Sequence, residues 1–351
     1  MSDEAVRNST PRVPGVSRRD ALKVGSAATG GVLFAGLTAL SGPGTAAAAS
    51  RTTPTASHSS PRLPVAAIEK IIGAQGMMSN GVLSVEVERG DLPHVVNSFG
   101  VPIKPSFQVN GSIVFQRQCE HDDHDHDGDH DHDGDGHGGD VVLNGDLPFL
   151  AHELQPALDK MLAHGIVFQA MHQHFYDWDP MVWFMHFRGR GDARTLARGV
   201  AAILSATATP LPQTSPTNPK TPLDTKRLSK IIGAAATVGA DGVVNLDIPR
   251  REPITLGGTD ISPSLNVATA VSFEPLGSKT AVVVDYGMTA AEIQRVTKRM
   301  RSLGWQVGCL YNQETAEFPQ LYFAHQFKAG DPYRLAGEVR RGLDLMNVKL
   351  T

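Results

Sequence analysis

Cysteine is nearly absent from this chain: Cys119 and Cys309 are the only two in 351 residues. At most one disulfide can form, so a scaffold built on several bridges is excluded. Cys119 borders a Gly/Asp-rich tract and Cys309 falls in an expected strand, contexts that favour separate thiols. A dense Lys/Arg stripe with interleaved aromatics is also missing, and no nucleic-acid surface is expected. The formal net charge of −4 hides an asymmetry. Residues 119–140 hold ten of the 36 acidic residues and no Lys or Arg, leaving 32 basic against 26 acidic residues elsewhere. Long apolar runs are missing too, apart from one near the N-terminus.

That one run follows a twin-arginine pattern, SRRDALK at 17–23, and extends over about 17 residues, 24–40, diluted by Gly, Ser and Thr. Small residues at 45–50 (TAAAAS) supply an A-x-A-like cleavage site. Together these predict a cleavable twin-arginine (Tat) signal peptide over 1–49 rather than a spanning anchor. No cysteine lies near the cleavage site, so a lipid anchor has no attachment point. The expected location is outside the cytoplasm: extracellular, periplasmic or cell-wall associated, with no membrane anchor after cleavage.

What the chain does have is a second copy of itself. IEKIIGA at 68–74 returns as LSKIIGA at 228–234, and NGVLSVEV at 80–87 as DGVVNLDI at 241–248. IKPSFQVNGSIVF at 103–115 matches ISPSLNVATAVSF at 261–273. PMVWFMHFRGRGD at 180–192 matches PQLYFAHQFKAGD at 319–331. Such extended self-similarity means internal duplication. We expect a linker at 50–65, a first repeat at 66–204, a Pro/Thr-rich linker at 205–225 and a second repeat at 226–351.

The offset between copies is 158 at Phe115/Phe273 but 139 at Asp146/Asp285, so the first copy carries 19 extra residues between those points. The tract CEHDDHDHDGDHDHDGDGHGGD at 119–140 lies between those points, where the second copy has only a PLGSK turn. The tract is therefore an insertion into a hairpin loop. Its imidazoles, His121, His124, His126, His130, His132 and His137, lie among glycines that fix no single geometry. Such a loop suits weak, fast-exchanging collection of several divalent ions.

Each copy reads as a short amphipathic helix, a strand, a hairpin, a longer helix opened by Glu153 or Glu292, two more strands, and a last helix capped by Asp192 or Asp331. Helices mixed with hairpins, without strict βαβ alternation, predict an α+β fold. Its two tandem homologous repeats should each have antiparallel strands with helices packed on one face.

The quieter candidate site is in the first copy's strands VFQAMHQH and MVWFMHF. His172 and His174 are two apart, so on a strand both share a face. A loop centred near Asp179 would place His186 opposite His172. Three neutral imidazoles then converge, a donor set for zinc or a similar divalent metal with one position left open. Asp177, Asp179 and Glu153 are candidate further ligands or proton carriers, Glu153 being the candidate catalytic base. Glu153, Asp146 and their counterparts occur in both copies, which equally suits structural work such as helix capping. The second copy has Tyr311, Gln313 and His325 at the positions of the three histidines. It should not build the same centre, and His186/His325 equally suit a packing histidine shared by both copies.

From GVLSVEVERGDLP through VPIKPSFQVNGSIVF and GDLPFLAHELQPALDKMLAHGI to AMHQHFYDWDPMVWFMHFRGRGD, the first copy resembles the LppY/LpqO family. These are exported bacterial proteins of unknown function, first known as mycobacterial lipoproteins. The resemblance spans nearly all of residues 66–347, including the duplication. In that family the H-x-H and the later M-H hairpin recur, which maps onto His172, His174 and His186. Relatives commonly have a further histidine where this chain has Arg188 and Arg190, and this chain lacks a lipidation cysteine. The resemblance implies no reaction. The functional expectation is an exported metal-binding protein with an accessory His/Asp loop. The alternatives are a metal-dependent hydrolase acting on a cell-envelope substrate, and a non-metal cell-wall or carbohydrate-binding module.

Overall fold

Strands in this chain alternate between two apolar faces, and both faces find partners. The computed structural model describes residues 62–92, 97–118, 141–215 and 219–351. The signal segment at 1–49, most of the 50–65 linker, Cys119 and the six tract histidines lie outside the described residues. Among the described residues no helix is long and apolar enough to cross a membrane.

Each copy forms a six-stranded antiparallel sheet. From edge to edge the first runs Gly76–Ser79, Val82–Glu88, Asn110–Arg117, Val141–Leu150, Val182–Gly191 and Val167–His172. The second runs Ala236–Val238, Val244–Ile248, Thr269–Leu276, Lys279–Met288, Tyr322–Gly330 and Gln306–Val307. The two orders correspond strand by strand. The strands that flank residues 119–140 pair directly, Phe115 opposite Leu143, as Phe273 lies opposite Val282 in the second copy.

Three helices cover one face of each sheet: Val65–Ile72, Leu154–Ala163 and Ala193–Leu204 on the first, Thr225–Ile232, Ala290–Ser302 and Pro332–Leu343 on the second. The fold is α+β, with helices on one face of each of two antiparallel repeats. Local chemistry sets the helix ends. The repeated phrase IIGA contains the glycine, Gly73 or Gly233, whose left-handed backbone (φ 82° and 85°) stops the first helix of each copy. Asp192 and Asp331 cap the last helices, accepting from the Thr195 and Arg334 amides at 2.8 Å. The helix Ala193–Leu204 buries Leu196, Ala197, Val200, Ile203 and Leu204, a 3.6-residue stripe against the sheet.

The other faces of the two sheets press on each other. Val82, Val114 and Val142 share one cluster with Leu256, Leu265 and Phe323; Val182 and Phe184 share another with Val283 and Phe327. The order of layers is helix, sheet, sheet, helix. Asn144 donates to the Leu265 carbonyl (2.9 Å), and the Ser262 amide to Gln116 (2.9 Å), across this interface. The expected Pro/Thr-rich linker is partly ordered, since the Gln213 side chain bonds both the amide and the carbonyl of Glu88.

One buried ion pair recurs in both copies. Arg89 forks onto Glu153 (2.8 and 3.0 Å) and donates to the Pro148 carbonyl; Arg250 does the same with Glu292 (2.8 and 3.1 Å) and the Gly287 carbonyl. Each glutamate also accepts a backbone amide at the start of its helix, Leu150 or Thr289. The second helix begins at Ala290, with Glu292 one turn in, not at the glutamate itself. Arg89 also forks onto Asp91 (2.9 and 2.7 Å). Losing Glu153 removes one of two carboxylate partners and costs less than the roughly 3–5 kcal/mol of a fully uncompensated buried charge. Glu153→Ala should therefore lower the urea-unfolding midpoint by that stability loss while metal content per folded molecule stays unchanged. A stable, metal-depleted variant would place Glu153 in the site instead.

Candidate metal centre

The faces between the two sheets are apolar except near the middle. Asp146 lies directly opposite His186 on neighbouring strands of the first sheet, and Asp285 directly opposite His325 in the second. Strand alternation turns both pairs toward the other sheet, alongside Val142 and Phe184 from one side and Val283, Phe323 and Phe327 from the other. His186 Nε2 is 3.5 Å from Asp146 Oδ1, and His325 Nε2 is 3.8 Å from Asp285 Oδ2.

His172 ends its strand opposite Phe184; His186 is paired with Ala170. The expected register, His172 opposite His186, is corrected by two residues, and the bulge between Phe168 and Ala170 turns His172 onto the same face as Phe184 and His186. The Gln169 side chain at that bulge reaches the second copy, accepting from Thr315 N (2.8 Å) and Oγ1 (2.7 Å). His172 still stacks near His186, ring centroids 5.0 Å apart, and lies flat on Tyr311 at 3.7 Å. Tyr311 is the second copy's counterpart of His172, so the two equivalent positions meet face to face. His174 lies past the strand end, sandwiched between Phe184 (3.6 Å) and His325 (3.9 Å). Its main chain touches Gly308: a Cβ there would sit 2.0 Å from the His174 carbonyl.

Two sets of donor atoms result, each with mutual separations within 4.8 Å: His172, His174 and His325, and Asp146, His172 and His186. The three histidines of the first copy thus do not form one set. His172 and His174 join His325 of the second copy, while His186 pairs with Asp146. All four imidazoles are buried, 2–6% exposed. Both ring nitrogens of His172, His174 and His186 lack a hydrogen-bond partner, as do Asp146 Oδ1 and Asp285 Oδ1. The Asp146–His186 approach is close but lacks hydrogen-bond geometry, and the Gln108 backbone near His174 does not bond a ring nitrogen. Buried polar atoms are almost always paired with protein, water or an ion; orphans occur elsewhere, as at Trp178 and Glu274, but eight lie together here. Three buried neutral imidazoles fit a zinc-type ion.

Burial sets the protonation states. It pushes the His186 and His325 imidazoles down to about 3, His325 aided by the neighbouring His186. It holds His172 and His174 well below 6.5, with the other imidazoles adding to it. Burial, then the Asp285 and Glu86 charges, raises Asp146 well above the usual range; burial lifts Asp285 to about 7 against the Tyr311 hydroxyl bonded to it (3.3 Å). Neutral imidazoles are the ligating form. A cavity of about 180 Å³ opens onto the centre, lined by Asp146, His186, Asp247, Asp285, Tyr311 and Gln313.

The other expected residues lie elsewhere. Glu153, the candidate base, is fully engaged by Arg89 and a backbone amide. Asp177 accepts the Phe99 amide. Trp178 and Phe175 are core, while Tyr176, Asp177, Asp179 and Pro180 of that loop are exposed. The second copy does contribute to the centre, against expectation, through His325. Its signal was present in the sequence: an Asp and a His recur at equivalent positions in both copies. A site shared between duplicated halves needs that recurrence just as packing does.

The folded pKa of His186 lies below its unfolded value of 6.5. Its contribution to stability is therefore present above pH 6.5 and lost as pH falls toward 3. Between pH 7 and 5 one such imidazole withdraws about 2 kcal/mol from the metal-free protein. His186→Gln should reduce the acid loss measured by urea unfolding by about that amount; equal losses in both proteins would contradict the burial reading. Asp285, raised to about 7, acts in the opposite sense, its contribution being lost as pH rises, so Asp285→Asn should steepen the acid loss. Gly308→Ala should displace His174 and weaken metal retention while the far-UV circular dichroism stays native.

Comparison with known proteins adds family membership. No curated protein matches this chain. One solved structure that aligns with it is the crystal structure of EtuB from Clostridium kluyveri, at 9% identity over 77% of this chain and 90% of that chain. The TM-score is 0.17, and the alignment carries no argument. The family described as Domain of Unknown Function (DUF1259) matches residues 134–206 and 226–345, one segment in each copy and together more than half of the chain. The chain belongs to the DUF1259 family, a tandem domain of unknown function.

Proposed function

We propose that this is an exported metal-binding protein of the LppY/LpqO type. It holds zinc or another divalent transition metal through His172 and His174 of the first copy and His325 of the second. The observation that carries this reading is the set of buried imidazole nitrogens without partners between the two sheets. Without an ion, each buried unpaired nitrogen costs roughly 1–3 kcal/mol, and the chain spends several in one place. The tract at 119–140, with its six histidines, collects ions for the centre. Twin-arginine export carries folded proteins, which suits a metal loaded before secretion.

The cavity that reaches the centre favours a second reading, a metal-dependent hydrolase acting on a cell-envelope substrate. Three protein ligands leave a position for water, the arrangement of catalytic zinc sites. Since Glu153 is tied to Arg89, the base in that reading is Asp146 or Asp285 at the cavity wall.

Elemental analysis of untagged protein tests the binding reading. A chain in which residues 119–140 are replaced by the short turn of the second copy should keep tightly held metal after dialysis. The His174→Ala/His325→Ala variant of that chain should lose the ion held by the three imidazoles. Absence of metal from the loop-replaced chain would sink the proposal. Turnover that survives loop replacement but not His172→Ala would select the hydrolase.

A further inference from the structure

We propose that the centre takes two divalent ions, the second held by Asp146 and His186 together with the second nitrogen of His172. This rests on the metal-binding reading and extends it. The donors do not form one cluster: His174 and His325 belong to one set, Asp146 and His186 to the other, and His172 alone is common to both. A single imidazole can serve two ions because it has two nitrogens, and both nitrogens of His172 are buried and unpartnered. Using both requires that the ring give up its N–H proton to solvent as the second ion binds.

The second set has its own unmet demand. The His186 side chain is 3% exposed and neither nitrogen has a hydrogen-bond partner, while Asp146 Oδ1, 3.5 Å away, has none either. Both residues line the cavity, which gives an ion an entry path and leaves coordination positions for water or ligand.

The duplication supplies a comparison. The second copy's Asp285 and His325 occupy the equivalent positions, yet there the carboxylate takes the Tyr311 hydroxyl and His325 Nδ1 meets Cys309 Sγ at 3.2 Å. Tyrosine stands where the first copy has His172. In the second copy one oxygen of Asp285 and one nitrogen of His325 are thus met by that copy's own side chains, whereas Asp146 Oδ1 and both nitrogens of His186 have no such partner. The two ion positions also differ in chemistry. The first is all imidazole; the second adds a carboxylate, which suits Mn(II), Fe(II) or Zn(II) and, with the proton lost from His172, offsets part of the added positive charge.

Calorimetric titration of zinc into the metal-free, loop-replaced chain tests this. The expected stoichiometry is two ions per chain, falling to one in Asp146→Asn and in Asp146→Asn/His186→Gln. The near-isosteric single variant guards against loss of the fold, which native circular dichroism checks. One ion in the parent chain, or two retained in both variants, overturns the second position and leaves the three-imidazole site standing. No zinc bound at all overturns both.

Discussion

Two sheets cannot bury their second faces on each other and also leave polar atoms there unanswered. Everything distinctive in this protein follows from that constraint. Valines and phenylalanines fill most of the layer between the sheets, so water is excluded. In its middle the chain has placed two cross-strand Asp–His pairs and two further imidazoles. On the helix faces the buried carboxylates are met by side chains: Glu153 by Arg89, Glu292 by Arg250, and Glu338 by Lys328 and Trp305. Orphaned buried atoms occur elsewhere too, as at Gln326, Glu274 and Glu314, but among the described residues imidazole nitrogens gather without partners only here.

Duplication explains why the centre lies where it does. Equivalent residues of two similar sheets packed face to face meet near the relation that exchanges them, as His172 and Tyr311 do by stacking. Residues kept in both copies, Asp146/Asp285 and His186/His325, form the frame of the site. Residues that differ, His172/Tyr311 and His174/Gln313, decide which half offers free nitrogens. The first copy's extra imidazoles need the second copy's His325 and the close approach at Gly308 to become a ligand set. Neither repeat holds the centre alone.

The strand and helix pattern was legible because period-2 and 3.6-residue alternation, capping aspartates and the left-handed glycines are local. The hairpin insertion was legible because the second copy lacks it. Glu153 pointed the wrong way: a carboxylate at the mouth of a helix near three histidines reads as a base until its partner Arg89, 64 residues earlier, is seen to occupy it. His325 was misjudged for a related reason. Recurrence in both copies looks like packing when each copy is pictured as a separate domain with its own site.

By itself, then, the sequence determined the duplication, the α+β class, the place of the inserted tract and the richness of imidazole on two strands of the first copy. These depend on spacing along the chain, which the sequence displays directly. Only the tertiary structure decided which histidines lie close enough to share an ion. That grouping depends on how one sheet faces the other and on a one-residue bulge in a strand. Donor atoms converge through space across more than 150 residues, and no periodicity within either copy encodes the distance between them.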